Sequence, residues 1–102
     1  MTFDKAEDAC RQVKELAEKL LKFRSPEDAK ALEQKCSYYA ANMVGRFGNV
    51  AGQLSLVATA AKMYRNSRTD VATASSKLGT ALLRVEHAIR VHRNSDRSRW
   101  QE

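Results

Sequence analysis

Apolar and small side chains recur along this chain at helical intervals. From the N-terminus they fall at Phe3, Ala6, Cys10, Val13, Ala17 and Leu20, in steps of 3, 4, 3, 4 and 3. That is the heptad spacing of one helix face. Leu16, Leu21 and Phe23 widen the face, while Lys5, Asp8, Lys14, Glu18 and Lys22 occupy the other side. Glu15 with Lys19 and Glu18 with Lys22 are i,i+4 pairs in the favourable orientation. The spacing predicts an amphipathic helix ending near Phe23 or Arg24. Ser25-Pro26-Glu27-Asp28 then supplies an N-cap, a proline at the first helical position and acids in the first turn of a second helix. So short a link predicts an antiparallel hairpin.

The second apolar series is longer: Ala29, Leu32, Cys36, Tyr39, Met43, Phe47, Val50, Leu54, Val57, Ala61 and Tyr64. Two successive steps of 4, from Tyr39 to Met43 to Phe47, make a stutter that rotates the face. Gly45, Gly48 and Gly52 cluster there. A continuous or kinked helix from Pro26 to about Tyr64 is favoured, because the heptad spacing resumes at once. It would be roughly 58 Å long at 1.5 Å per residue. The alternative is a break near Gly48-Asn49, giving four helices in all. Gly45, Gly48, Gly52 and Ser55, with Thr59, also form a stripe of small side chains in steps of 3 and 4. Such a stripe allows close packing of another helix, from this chain or from a second copy.

Ser67 and Asp70 carry the next capping signature, and a third helix is expected from about Arg68 to Arg93. Its face is Val71, Ala74, Leu78, Leu82, Val85 and Ile89. The resulting fold is all-α, an antiparallel bundle of three long amphipathic helices, or four with the break. A single domain covers residues 1–93, and residues 94–102 form a short basic tail without apolar periodicity beyond Trp100. The three unequal helices leave part of the middle one uncovered, a motive for a homo-oligomer or for membership of a larger complex.

Composition narrows the class. With 102 residues there is room for one core. The opening Met1-Thr2-Phe3-Asp4-Lys5-Ala6-Glu7 lacks the apolar run of a secretory signal. No stretch reaches the ~18 apolar residues of a membrane span. Cys10 and Cys36 both stand at core positions and are too few for a disulfide scaffold. A soluble, cytoplasmic protein is expected.

Candidate chemistry is sparse. His87 and His92 are five apart, about 140° around a helix, so they do not form a metal-binding i,i+4 pair. Glu7-x-x-Cys10 and Glu33-x-x-Cys36 share the spacing of helical di-metal sites without their histidines or additional glutamates. Gly45 to Gly52 has neither the lysine nor the preceding strand of a phosphate loop. No catalytic residue, metal or cofactor is expected.

Charge points to a partner. The net charge is +6, and it is uneven: residues 1–24 carry +1, residues 25–64 carry +1 and residues 65–102 carry +4. Seven of the last eight basic residues are arginine: Arg65, Arg68, Arg84, Arg90, Arg93, Arg97 and Arg99, with Lys77 the exception. Arginine suits planar, bidentate acceptors such as phosphate and carboxylate. The first expectation is therefore a non-catalytic subunit that binds nucleic-acid backbone through these arginines and Trp100, with weak sequence specificity. In size, helicity and basic balance the chain is similar to small helical subunits that line nucleic acid in CRISPR effectors, a likeness of class without a shared motif. The alternative is a protein-binding helical module, an inhibitor, adaptor or secretion-type chaperone, that docks through its long middle helix. Tyr38 and Asn42, off the core stripe, offer a second contact surface.

Overall fold

The computed structural model describes residues 2–66 and 70–101, with the side chains of the last helix described as far as Asn94. Four helices follow one another: α1 (Phe3–Phe23), α2 (Pro26–Met43), α3 (Gly48–Arg65) and α4 (Val71–Gln101).

Each boundary has a local cause. The Thr2 hydroxyl accepts from the Lys5 N–H at 3.3 Å and caps α1. Arg24 closes α1 in the left-handed region, with φ at 54°, and its N–H donates to the Leu20 carbonyl at 2.7 Å. Glycine normally fills that position. Ser25 stands at the N-cap of α2 as expected, although its side chain makes no capping bond, and Pro26 follows as the first helical residue. Before α4, the Asp70 carboxylate accepts from the Thr73 N–H at 3.0 Å and from its hydroxyl at 2.6 Å. These bonds hold the Asp70 carboxyl below its ordinary range. The start of α4 is thus at Val71 and the cap is Asp70, later than the Arg68 expected from sequence. Val71 is consequently 41% exposed rather than a core residue.

The favoured continuous middle helix is not what forms. The chain leaves the helix after Met43, turns through Val44-Gly45-Arg46-Phe47 and starts α3 at Gly48. A straight helix of that length would outrun α1, whose 21 residues cover only about 32 Å. Folding back buries Val50, Leu54 and Val57 completely. Each such burial is worth roughly 1.5–3 kcal/mol, which outweighs a few helical hydrogen bonds at the turn. Phe47 makes the turn compact. Its N–H donates to the Met43 carbonyl at 2.7 Å, and its carbonyl accepts from the Ala51 N–H at 2.9 Å. Its ring is 2% exposed, set against Phe3 at 6.4 Å and edge-on to His92 at 5.1 Å. The stutter therefore marks a reversal in which Met43, Phe47 and Val50 all remain in the core.

Cross-helix contacts give the topology. Gln12 of α1 accepts from Lys35 and Tyr39 of α2, at 2.9 and 2.8 Å. Arg65, at the end of α3, pairs with Glu33 in the first half of α2. Tyr64 bonds to Ser75, and Phe47 meets His92, so α4 runs back along α3. Lys14–Glu86 and Arg93–Glu7 then join α4 to α1. The fold is an up-down-up-down bundle in which each helix is antiparallel to its two neighbours. With the middle segment folded on itself, α1, α2 and α3 have 21, 18 and 18 residues. The middle segment therefore no longer outruns α1. α4 has 31 residues and stays helical through Gln101, so the segment read as a tail continues that helix.

The core is built of Ala, Leu, Val, Met, Phe47, Ile89 and the two cysteines, with no buried polar or charged residue among those described. Tyr39, Tyr64, Phe3 and Leu82 border it half-buried. Small side chains such as Ala29, Ala40, Ala51 and Ala61 let the backbones approach closely.

Candidate binding face

Of the arginines singled out by composition, the structure gives two to the fold. Arg65 is held by Glu33, and the Arg93 guanidinium by Glu7, with Nε to Oε2 at 3.0 Å. Arg84 and Arg90 are exposed on α4, and no described carboxylate lies within ion-pair distance of either. Arg68 and the side chains of Arg97, Arg99 and Trp100 lie outside the described residues. The expected arginine cluster is thus divided, because antiparallel packing turns neighbouring residues of α4 toward different helices.

A coherent surface does form between α3 and α4. Two depressions of about 380 and 440 Å³ run along this seam and share Thr80 and Arg84. Together they make one shallow groove. Leu56, Thr59, Ala60 and Met63 of α3 face Lys77, Ala81 and Arg84 of α4 at one end. Asn49 and Gln53 face Leu83 and His87 at the other. Leu83 is 68% exposed and Leu56 is 43% exposed. The Gln53 side-chain oxygen is buried and has no hydrogen-bond partner.

Among the described residues, the groove contains no carboxylate. α3 has no acidic residue, and the described acid within α4, Glu86, turns away to Lys14 of α1 at 2.7 Å. Lys77 and Arg84 consequently lack ion-pair partners among the described residues. This feature was missed in reading the sequence, although its signal is plain: between Glu33 and Glu86 the single acid is Asp70. Counting arginines drew attention to where base is added. The distribution of acids shows where base is left unopposed.

A larger depression, about 530 Å³, lies on the α1–α4 seam. Its floor includes Cys10, Val85 and Ile89, and its rim is closed by Lys14–Glu86 and Arg93–Glu7. Arg11, Lys14 and Arg93 pair with Asp8, Glu86 and Glu7, which leaves Asp4 as a single net negative charge, so this depression offers an acidic ligand no attraction.

The small-residue stripe has no packing role within this chain. A Cβ added at Gly45, Gly48 or Gly52 would meet nothing within 4 Å, and Ser55 is exposed with its hydroxyl bonded to the Ala51 carbonyl at 3.1 Å. Tyr38 is 66% exposed, and the Asn42 amide donates to its carbonyl at 2.9 Å.

Reactive groups are muted. Cys10 and Cys36 are free, buried thiols. Burial pushes Cys10 up to about 11, helped by Glu7, and Cys36 up to about 12, helped by Cys10. Neither carries thiolate at neutral pH. His92 packs on Phe47, while His87 stands exposed at the groove. Among the described residues, no three His, Cys, Asp or Glu side chains are grouped to hold a metal. No helix is long and apolar enough to cross a membrane among the described residues. Compared with protein-family models, curated proteins and solved structures, the chain matches none.

Proposed function

We propose that this chain is a non-catalytic helical module that binds an acidic partner across its α3–α4 face. The observation that carries this reading is the absence, among the described residues, of any carboxylate from a groove that presents Lys77 and Arg84. Unopposed cations on one face attract and orient an acidic surface, whereas paired ones do not. The buried, protonated thiols and separated histidines support a binding role over a catalytic one.

The test is a fluorescence anisotropy titration with three labelled probes at two salt concentrations: a glutamate-rich peptide, a single-stranded oligonucleotide and a duplex. At least one is expected to bind, more weakly at the higher salt. Lys77→Glu with Arg84→Glu is expected to lower that affinity at least tenfold. Lys5→Glu with Lys30→Glu, on α1 and α2, serves as the control and is expected to change it less than threefold. If none of the three binds at low salt, or if both double variants act alike, the proposal fails.

A further inference from the structure

The α3–α4 groove has more than charge. Phosphate contacts would use its cations alone, yet Leu83 and Leu56 stand exposed between them, and Met63 and Ala60 continue the apolar lining. Resting on the acidic-partner reading above, we infer that the groove is the docking site of an acidic amphipathic helix from another protein. Two antiparallel helices with alanines between them make a trough that a third helix can fill, anchored at i, i+3, i+4 and i+7.

The dimensions define the occupant. From Asn49 to Met63 the α3 wall is about 21 Å long, which suits a helix of about four turns. Lys77 and Arg84 are seven residues apart on α4, or about 10.5 Å. Glutamates seven residues apart on the docked helix therefore face both, with leucines between them covering Leu56 and Leu83.

A second copy of this chain does not fit this description. α1 carries five acidic and five basic side chains, and α2 carries three acidic and two basic. Their apolar stripes are already buried in the core. Where they expose an apolar side chain beside acids, at Tyr38 near Asp4 and Asp8, Lys5 and the Asp8–Arg11 pair offset the charge and no leucine row is presented, so charge complementarity favours a different protein.

The probe is a labelled 15-residue helical peptide with leucines on one face, flanked by glutamates seven apart. Its controls are a scrambled peptide of identical composition, a single-stranded oligonucleotide and a duplex. The amphipathic peptide is expected to bind at least tenfold tighter than the scrambled one. In a nitrogen-15 amide correlation spectrum, shifts are expected along residues 49–63 and 76–88, with α1 and α2 unmoved. Leu83→Glu and Leu56→Glu, each checked for native helicity and melting, are expected to lower affinity for the peptide at least tenfold.

If the oligonucleotides bind through Lys77 and Arg84 while neither leucine variant matters, the helix-docking inference is overturned and the acidic-partner reading stands. Equal binding of the amphipathic and scrambled peptides has the same meaning. If nothing binds at low salt, both are overturned.

Discussion

Gly52 and Gly79 sit inside α3 and α4, where glycine is a poor helix former. Neither has a positive φ, and a Cβ added to either would meet nothing within 4 Å. Alanine therefore enters both sites without strain. It removes the conformational freedom that glycine gives the unfolded chain, and each substitution is expected to add roughly 0.5–1 kcal/mol. Gly52→Ala with Gly79→Ala, on separate helices, should add about 1–2 kcal/mol. For a domain of this size that raises Tm by roughly 4–15 °C. Urea unfolding followed by far-UV circular dichroism is the assay, with the midpoint rising and the m-value unchanged. The same measurement tests the role of the small-residue stripe. If Gly52 packs against a second copy, the added methyl would weaken that contact, and Tm would depend on protein concentration. Loss of stability in the double variant would refute the reasoning, as would a concentration-dependent Tm in the parent.

Phe47→Ala empties the turn between α2 and α3 and is expected to cost about 3–5 kcal/mol in denaturant titration; a loss below about 1 kcal/mol would show that the ring is not the plug its burial indicates. Arg24→Gly relieves a left-handed residue at the end of α1 and is expected to add roughly 0.5–1 kcal/mol, read from the urea midpoint. The thiols make the fold sensitive to alkali. Their folded pKa values, about 11 and about 12, lie above the ordinary 9.0, so the unfolded chain loses these protons first and stability falls as pH rises through that window. Each thiol contributes a slope of about 1.4 kcal/mol per pH unit, and Cys36→Ala is expected to reduce the loss between pH 9 and 11 by roughly half. An identical slope in the variant would count against the burial argument.

Much of this architecture was legible from particular residues. The heptad of Phe3 to Leu20 and the Ser25-Pro26 stop define α1 and the start of α2, because local periodicity and capping depend on neighbours in sequence. The stutter at Met43–Phe47 was visible too, but its meaning was not. A step of 4 is compatible with a rotated helix and with a reversal. The choice depends on what covers Val50, Leu54 and Val57, and those partners lie on α2 and α4. The cap of α4 shows the same limit on a smaller scale: Ser67 and Asp70 both suit a helix start, and Asp70 takes the role through Thr73.

The arginines of α4 mark the boundary between the two kinds of information. Sequence alone determined an all-α chain, its first two helix boundaries, most of its core and the basic bias of its last third. Each of these rests on short-range spacing or on simple composition. Tertiary structure decided that the middle segment folds into two helices, that Arg65 and Arg93 serve internal ion pairs, and that Lys77 and Arg84 stand beside exposed leucines without an ion-pair partner among the described residues. The reason is geometric. A helix distributes consecutive residues around its axis, so whether a charge is neutralised or presented depends on which antiparallel neighbour it faces, and that neighbour is set by the packing of the whole bundle.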